Sequence, residues 1–497
     1  MQLVRAVDDT FCILVLGDFL GAASGFPDSP EVHWLLRRAT PDTVMELTGL
    51  RPRIRVSRQV LTGTEWEGAR EEDRTREGGV EELELATLHD FDPLALYRRS
   101  KLFHPFREAR DAAREGGSQA GQSAAEGDPG PPLPADEGSP DRRGLLDAVL
   151  DATAPAPPPT GPIPGTKEDL EAFVRAAVRP HLVPNDTDEK ARVAAVDEAA
   201  GRCLSNLLHT RGFQDLESLW RSLAFLLSRA DTTGKVRVYL AHVPQPVLEA
   251  DLESSEDLAR SRLYELLSSP PPGPPERRWA VVVGAYGFGP GVRDVDLLTD
   301  IARIARAVGT PWFSEVRFRE LPSLEHSLDE PPPGGGSPEA LSFGALPDEW
   351  QRLRETPEAA WVGLTFPRFL VREPHRGSEK DGREPELRET VGAWQDFLWG
   401  PGGFLVASLL AGGYAREGRG FAPERSLELG GMPMGAPEGE GGSEARSVEA
   451  PLSPRSAQRL MDLGVIPVLG FPQRAGVRIG GIHPLAAPRT TIRGWWT

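Results

Sequence analysis

Large apolar residues recur at helical spacing most densely between Leu204 and Leu227. Leu204, Leu207 and Leu208 mark one face of a short helix, and Arg211-Gly212 punctuates it. Leu216, Leu219, Trp220, Leu223, Leu226 and Leu227 then follow at intervals of mostly three and four. Two apolar helices meeting at a glycine turn predict an αα-hairpin that must bury its stripe against something. Glu217 and Arg221 stand at i and i+4 on the second helix, a spacing that favours an ion pair.

Strand patterns flank this hairpin on both sides. Phe11 to Leu16 is an apolar run that stops at Gly17-Asp18, which predicts a buried strand and a turn. Ile54 to Val56 predicts a short strand, Trp66 to Arg76 a solvated loop, and Glu82 to Leu88 a half-buried strand with Leu83 and Leu85 inward. Asp90-Phe91-Asp92-Pro93 signals a helix start, with Asp as cap and Pro in the first turn, and Leu94, Leu96, Tyr97, Leu102 and Phe106 on the helix behind it. From Glu115 to about Gly165 the chain is mainly Gly, Pro, Ala, Ser and Asp, which cannot offset the entropy of ordering and predicts a flexible linker or a weak docking peptide.

Beyond it, Leu170, Phe173, Val174 and Val178 predict a helix ending at Pro180. Val236 to Leu240 predicts a strand and Leu248 to Leu267 a helix. Trp279 to Val283 predicts a buried strand, Gly284 to Gly291 a glycine-rich turn, and Asp294 to Val308 a helix with Leu297, Leu298, Ile301 and Ile304 on one face. Strand, turn and helix in that order indicate a parallel α/β unit. Trp312-Phe313 and Trp361 to Phe366 read as further strands. Ser323 to Ser342 and Ala436 to Glu449 read as low-complexity inserts, and Arg376 to Arg388 as an exposed charged stretch. Trp394 to Leu410 reads as helical apart from a Gly-Pro-Gly interruption at Gly400 to Gly402. Ser456 to Gly464 reads as a last amphipathic helix, followed by strands at Val465 to Phe471 and Val477 to Ile479.

Composition narrows the functional classes. A length of 497 residues exceeds what one core usually supports. Hydrophobic content is only 39% because 53 Gly and 48 Pro crowd the inserts. A formal charge of −18 argues against a nucleic-acid binder, which needs a basic face. Cys12 and Cys203 lack paired spacing, so neither a disulfide framework nor a zinc site is expected, and a reducing cytoplasm fits. No signal-peptide pattern opens the chain, and no window reaches the ~18 apolar residues of a membrane span.

Candidate chemistry is sparse. Gly284-x-x-Gly287-x-Gly289 invites a phosphate-loop reading, but its spacing is wrong, no Lys-Ser or Lys-Thr follows, and Tyr286 and Phe288 would crowd a phosphate. His89 beside Asp90 and Asp92 invites a metal site, yet helix capping explains the aspartates and no second His lies nearby. Ser24-Gly25 lacks a nucleophile elbow. No catalytic constellation, cofactor or metal is expected.

Several segments carry a resemblance. His209, Phe213, Gln214, Leu216, Glu217, Trp220 and Arg221 follow an order similar to that of the large sheath subunit of bacterial type VI secretion systems (TssC-like). Further segments, in order, resemble the same family: Phe173 to Pro184, Trp279 to Pro290 with Asp294, and Val362 to Leu370 with Pro367, Arg368 and Arg372. Phe397-Leu398-Trp399-Gly400, with Pro401 where the family has Asn, and Leu463 to Val468 continue the series. In the N-terminal part, Ile13 to Phe19 with Asp18, and Leu88 to Leu94 with Asp90 and Asp92, resemble the small sheath subunit (TssB-like).

The resemblance implies a natural fusion of the two subunits, mixed α/β (α+β) in class. A small N-terminal α/β part (1–114) packs on a larger α/β domain (166–497), joined by a disordered linker (115–165). In that family the two subunits pair and stack as rings into a sheath around an inner tube, and contraction drives the tube outward without enzymatic chemistry. Expected partners are further copies of the chain and inner-tube or baseplate components, in a bacterial cytoplasm, with no nucleic acid and no membrane insertion. The small-subunit part stops near Arg114, ahead of the family's C-terminal helix and strand. The large-subunit part stops near Thr497, where the family's strand-exchange region would continue. A non-polymerising accessory that caps, regulates or docks on the sheath or baseplate is the alternative. Candidate interface residues are Asp18, Asp90, Asp92, Phe213, Gln214, Glu217, Trp220, Arg221, Pro367, Arg368, Arg372 and Trp399, the arginines being free to bridge to a neighbour or to pair internally.

Overall fold

The apolar run nearest the N-terminus becomes the centre of the largest sheet. The computed structural model describes residues 9–21, 32–35, 43–57, 60, 80–123, 189–230, 234–317, 348–377, 384–438 and 444–497, with backbone alone for 32–35, 115–123 and 189. Its strands are β1 (Phe11–Gly17), β2 (Val32–Leu35), β3 (Arg53–Ser57), β4 (Val80–Glu84), β5 (Val236–His242), β6 (Trp279–Phe288) and β7 (Trp312–Val316). They continue as β8 (Val362–Phe366), β9 (Phe369–Leu370), β10 (Trp399–Gly400), β11 (Glu428–Gly430), β12 (Val465–Gly470) and β13 (Gly476–Ile479). Nine of them form one sheet in the order β11-β13-β12-β8-β7-β6-β1-β5-β2, and β3 with β4 and β9 with β10 form two small ribbons.

The run from β12 to β5 is parallel, and β2, β13 and β11 add antiparallel edges. β1 pairs with β5 over its whole length and with β6 on its other side, so a strand from the N-terminal segment is bonded on both edges by strands from beyond residue 235. Burial on both faces explains its unbroken apolar run. Phe11, Ile13 and Val15 enter one core with the hairpin leucines and Phe404, Leu405 and Leu410. Cys12, Leu14 and Leu16 enter the other with Leu248, Leu263, Leu298, Trp350 and Leu460. Helices therefore cover both faces, the architecture expected of a parallel α/β sheet.

The hairpin is present, as helices Glu189–Leu208 and Arg211–Arg229, but its turn falls at His209-Thr210 and Arg211 already opens the second helix. Other boundaries also differ. The expected turn from Gly284 is still strand: β6 runs to Phe288, and Gly284 is glycine because a Cβ there would lie 2.3 Å from the Trp312 ring. The helix expected over 248–267 is two, Gln245–Ser254 and Arg262–Ser268, joined by Asp251 accepting from the amides of Arg262 and Leu263. Of the helix expected over 394–410, the regular part starts only at Gly403, because Trp399-Gly400 pairs with Phe369-Leu370. The insert expected at 436–449 is partly built in, with Ser447 and Val448 buried and Val448 bridged to Phe369. Leu387 is buried within the stretch expected to be exposed.

The helix His104–Ser123 runs into the first residues of the expected linker. The rest of that linker, the helix expected around Leu170 to Val178, and the loops expected at 66–76 and 323–342 lie outside the described residues.

Candidate functional site

The second hairpin helix buries a carboxylate in the middle of its apolar stripe. Glu217 is 0% exposed, next to Leu216 and about one turn from Trp220. An unpaired carboxylate there would cost several kcal/mol, and the structure supplies two guanidinium groups. Arg372 donates from Nε to Glu217 Oε1 at 2.8 Å and from Nη2 to Oε2 at 3.1 Å, while Arg221 Nε donates to Oε1 at 2.6 Å. Arg372 Nη1 also donates to Glu389 Oε2 at 2.6 Å. Glu389 in turn accepts from the His375 backbone N–H at 2.9 Å and lies 3.3 Å from His209 Nε2. At the other end, Arg221 Nη2 donates to Asp92 Oδ1 at 3.1 Å. One chain of charges thus runs from the N-terminal segment through the hairpin to the segment after β9.

Electrostatics follow from that order. Burial pushes the Glu217 carboxyl up, and Arg372 and then Arg221 overcome it, leaving it below its ordinary value. Glu389 is likewise raised by burial and pulled well down by Arg372 and by the hydrogen bond with His209. Burial lowers the Arg372 guanidinium, but Glu217 and Glu389 outweigh it and hold it above its ordinary value. At His375 the balance goes the other way: burial, then Arg372, outweighs the pull of Glu217, Glu389 and Asp92 and pushes the imidazole down from 6.5 to about 4.

Between those values the unfolded chain binds a proton that the folded chain refuses. Stability is therefore full above pH 6.5 and falls as the pH drops toward 4, by about 3 kcal/mol for this group at about 1.4 kcal/mol per unit. The two carboxylates add their own loss below 4.5. Denaturant titrations at successively lower pH should show the midpoint falling from just below neutrality, and His375→Gln should flatten the first part of that slope.

Other sequence-predicted residues surround the network. Phe213 meets Phe91 edge-on at 5.6 Å, and Trp220 meets Phe19 edge-on at 5.2 Å while its Nε1 donates to Phe19 O at 3.0 Å. Gln214 Nε2 donates to Asp396 O at 3.3 Å, and Trp399 O accepts from Ser218 Oγ at 2.6 Å. Asp90 Oδ2 accepts from the amides of Ala86 and Thr87 at 2.7 and 2.9 Å, and its other oxygen pairs with Arg99. Asp92 stands at the N-cap position of helix Pro93–Arg99 but makes no side-chain cap there, because its carboxylate serves Arg221.

The remaining three lie apart. Asp18 accepts from Gly21 N at 2.8 Å and lies 3.6 Å from His242 Nδ1, at the end of β1. Pro367 follows a cis bond after β8. Arg368 grips Glu449 with Nε at 2.9 Å and Nη2 at 2.6 Å. The sequence pattern did not single out Glu389, His375 or the buried pair Arg110–Asp197, whose Nε···Oδ1 distance is 2.7 Å. Arg110 also donates to Glu384 O, and Asp197 accepts from Glu386 N, so this pair ties the same three segments a second time. These partners are far apart in the chain, so no local spacing connects them.

The hairpin packs where a parallel α/β sheet commonly takes ligands. Such sheets bind at the carboxyl ends of strands where the order switches sides, here between β1 and β6. A Cβ on Gly17 would lie 2.8 Å from Leu219, so the hairpin sits directly on this point. Gly289 N, in the glycine-rich stretch, donates to Asp294 Oδ2 at 2.6 Å. Among the described residues no group of three His, Cys, Asp or Glu could hold a metal ion, and no helix is long and apolar enough to cross a membrane. The network has no nucleophile–base pair; what this arrangement can do is hold three chain segments together.

Comparison with known proteins identifies the family. The family profile described as VipB (EvpB/VC_A0108), tail sheath N-terminal domain, matches residues 190–476, more than half of the chain. The type VI secretion system sheath protein TssC1 of Pseudomonas aeruginosa is 27% identical over 335 residues, covering 61% of this chain. The alignment spans 64% of that relative's length.

Proposed function

We propose that this chain, which belongs to the EvpB/VC_A0108 tail sheath family, is a structural subunit of a type VI secretion sheath that stacks with further copies around an inner tube. The observation that carries this reading is the family match itself, which runs over the hairpin, the parallel strands β5 to β12 and the Glu217–Arg372–Glu389 network. A role without catalysis agrees with a hairpin that packs directly on the carboxyl end of β1, Leu219 against Gly17. Contraction would then draw on a change in packing between copies, a bistable assembly rather than a reaction.

Residues 1–114 are, in this reading, a small-subunit-like part fused to the large one, with the segment between acting as a tether that keeps the two at high effective concentration and in equal number. Supporting it are the TssB-like segments around Asp18 and Asp92 and the way both segments' carboxyl-terminal ends meet the hairpin, through Phe19–Trp220 and Asp92–Arg221. The setting would be a bacterial cytoplasm, and inner-tube or baseplate components the partners.

Negative-stain microscopy with analytical ultracentrifugation of the full chain tests the reading. Rings or tubes of regular width are the expected result. A strict monomer at every concentration and salt would replace the sheath role with the accessory one.

A further inference from the structure

Three arginines stand near the carboxyl ends of the parallel strands, and two of them are saturated. Arg372 is shared by Glu217 and Glu389, and Arg368 is gripped by Glu449. The third, Arg317, follows β7. Its backbone N–H donates to Phe288 O at 3.0 Å, and its Nε donates to Glu315 Oε1 at 2.8 Å. Glu315 is 1% exposed, and its second oxygen is buried with no partner among the described residues.

The stem of Arg317 lies across Gly287, where an added Cβ would fall 2.1 Å from Nε and 2.2 Å from Cδ. This accounts for the second glycine of the glycine-rich stretch: it is a seat for an arginine. Seat and brace fix the guanidinium, yet its Nη1 and Nη2 take no acceptor among the described residues, and the side chain keeps 40% exposure.

We propose that Arg317 is a pre-organised docking arginine that receives a carboxylate from a second copy of this chain. A planar fork held at Nε presents its two remaining donors in the geometry that carboxylates accept, with little rotamer entropy left to lose. Asp215 lies within electrostatic range of the guanidinium and is itself half exposed, which disfavours a polyanion and leaves room for one acidic side chain. Copies of this chain offer such groups in excess, 74 Asp and Glu against 56 Lys and Arg. The proposal rests on the self-assembly proposed above.

Sedimentation velocity of the full chain, over a concentration series at low and high salt, provides the test. Wild type should associate, Arg317→Glu should weaken association about tenfold or more, and Arg317→Lys, which keeps the charge but loses the fork, should fall between. Gly287→Ala should act like Arg317→Ala by unseating the stem without altering any charge. Phenylglyoxal should modify Arg317 in the dilute wild-type chain and spare it in assemblies. If wild type assembles, but Arg317→Glu does so equally well and Arg317 stays reactive, the docking role is overturned while self-assembly stands. A wild type that stays monomeric throughout overturns self-assembly and the second-copy carboxylate together.

Discussion

Replacing Arg372 with methionine lowers the unfolding free energy by about 3–5 kcal/mol, the cost of leaving buried carboxylates without their counter-charge. The side chain is the only described group bonded to both Glu217 and Glu389, which are 0% and 3% exposed. Without it, Glu217 keeps a single cation, Arg221, and that cation is already shared with Asp92. Removing the charges together should cost far less than removing one side: Arg372→Met with Glu217→Gln and Glu389→Gln leaves polar groups to satisfy but no ions to neutralise. Lysine at 372 keeps the charge and loses the fork, so it should fall between the two. Urea midpoints at constant slope read all three variants. A single-mutant loss below about 1 kcal/mol, the range of exposed pairs, would show that the network is solvated in the folded protein.

Separating the chain within its central tract should make each part depend on the other. Residues 151–497 expressed alone should be insoluble, and coexpression with residues 1–150 should return a soluble one-to-one complex. The large fragment lacks β1, so β5 and β6 would each expose a bare edge at the centre of the sheet. Phe11, Ile13, Leu14, Val15 and Leu16 are all fully buried, and at about 1.5–3 kcal/mol per side chain their loss approaches the whole 5–15 kcal/mol stability of a typical domain. Leu14→Asp in the small fragment should abolish rescue, since that side chain enters the core of the opposite face from the hairpin. A soluble, monomeric large fragment with cooperative unfolding would show that the sheet closes without β1.

The elements themselves were legible where one physical signal dominated. The hairpin announced itself through leucine spacing, and β1 and β6 through continuous apolar runs, because strands buried on both faces need no alternation. What periodicity could not carry was neighbourhood. Nothing local to Phe11–Gly17 says that it lies between strands from beyond residue 235, since pairing is decided by the whole chain. Glu217 and Arg221 were legible as a pair because i and i+4 meet on any helix, whereas His375 and Glu389 only border the stretch 376–388, whose charge reads as solvated, and have no local spacing that ties them to the hairpin. Glycines misled for a similar reason. Gly284 and Gly287 look like a turn, but they clear space for Trp312 and Arg317 within a strand.

The position of β1 also sets how the molecule carries force. Its seven residues are in register with β5 throughout, and four of the same backbone positions continue into a matched run along β6, all strands pointing the same way. A pull along β1 therefore loads these hydrogen bonds together, in shear, instead of peeling them one after another. Tension applied to the N-terminal segment would meet the stiffest direction of the sheet, and rupture would have to break the centre before either edge. A chain built in this way resists a pull on its first strand more than a pull that peels an edge strand away.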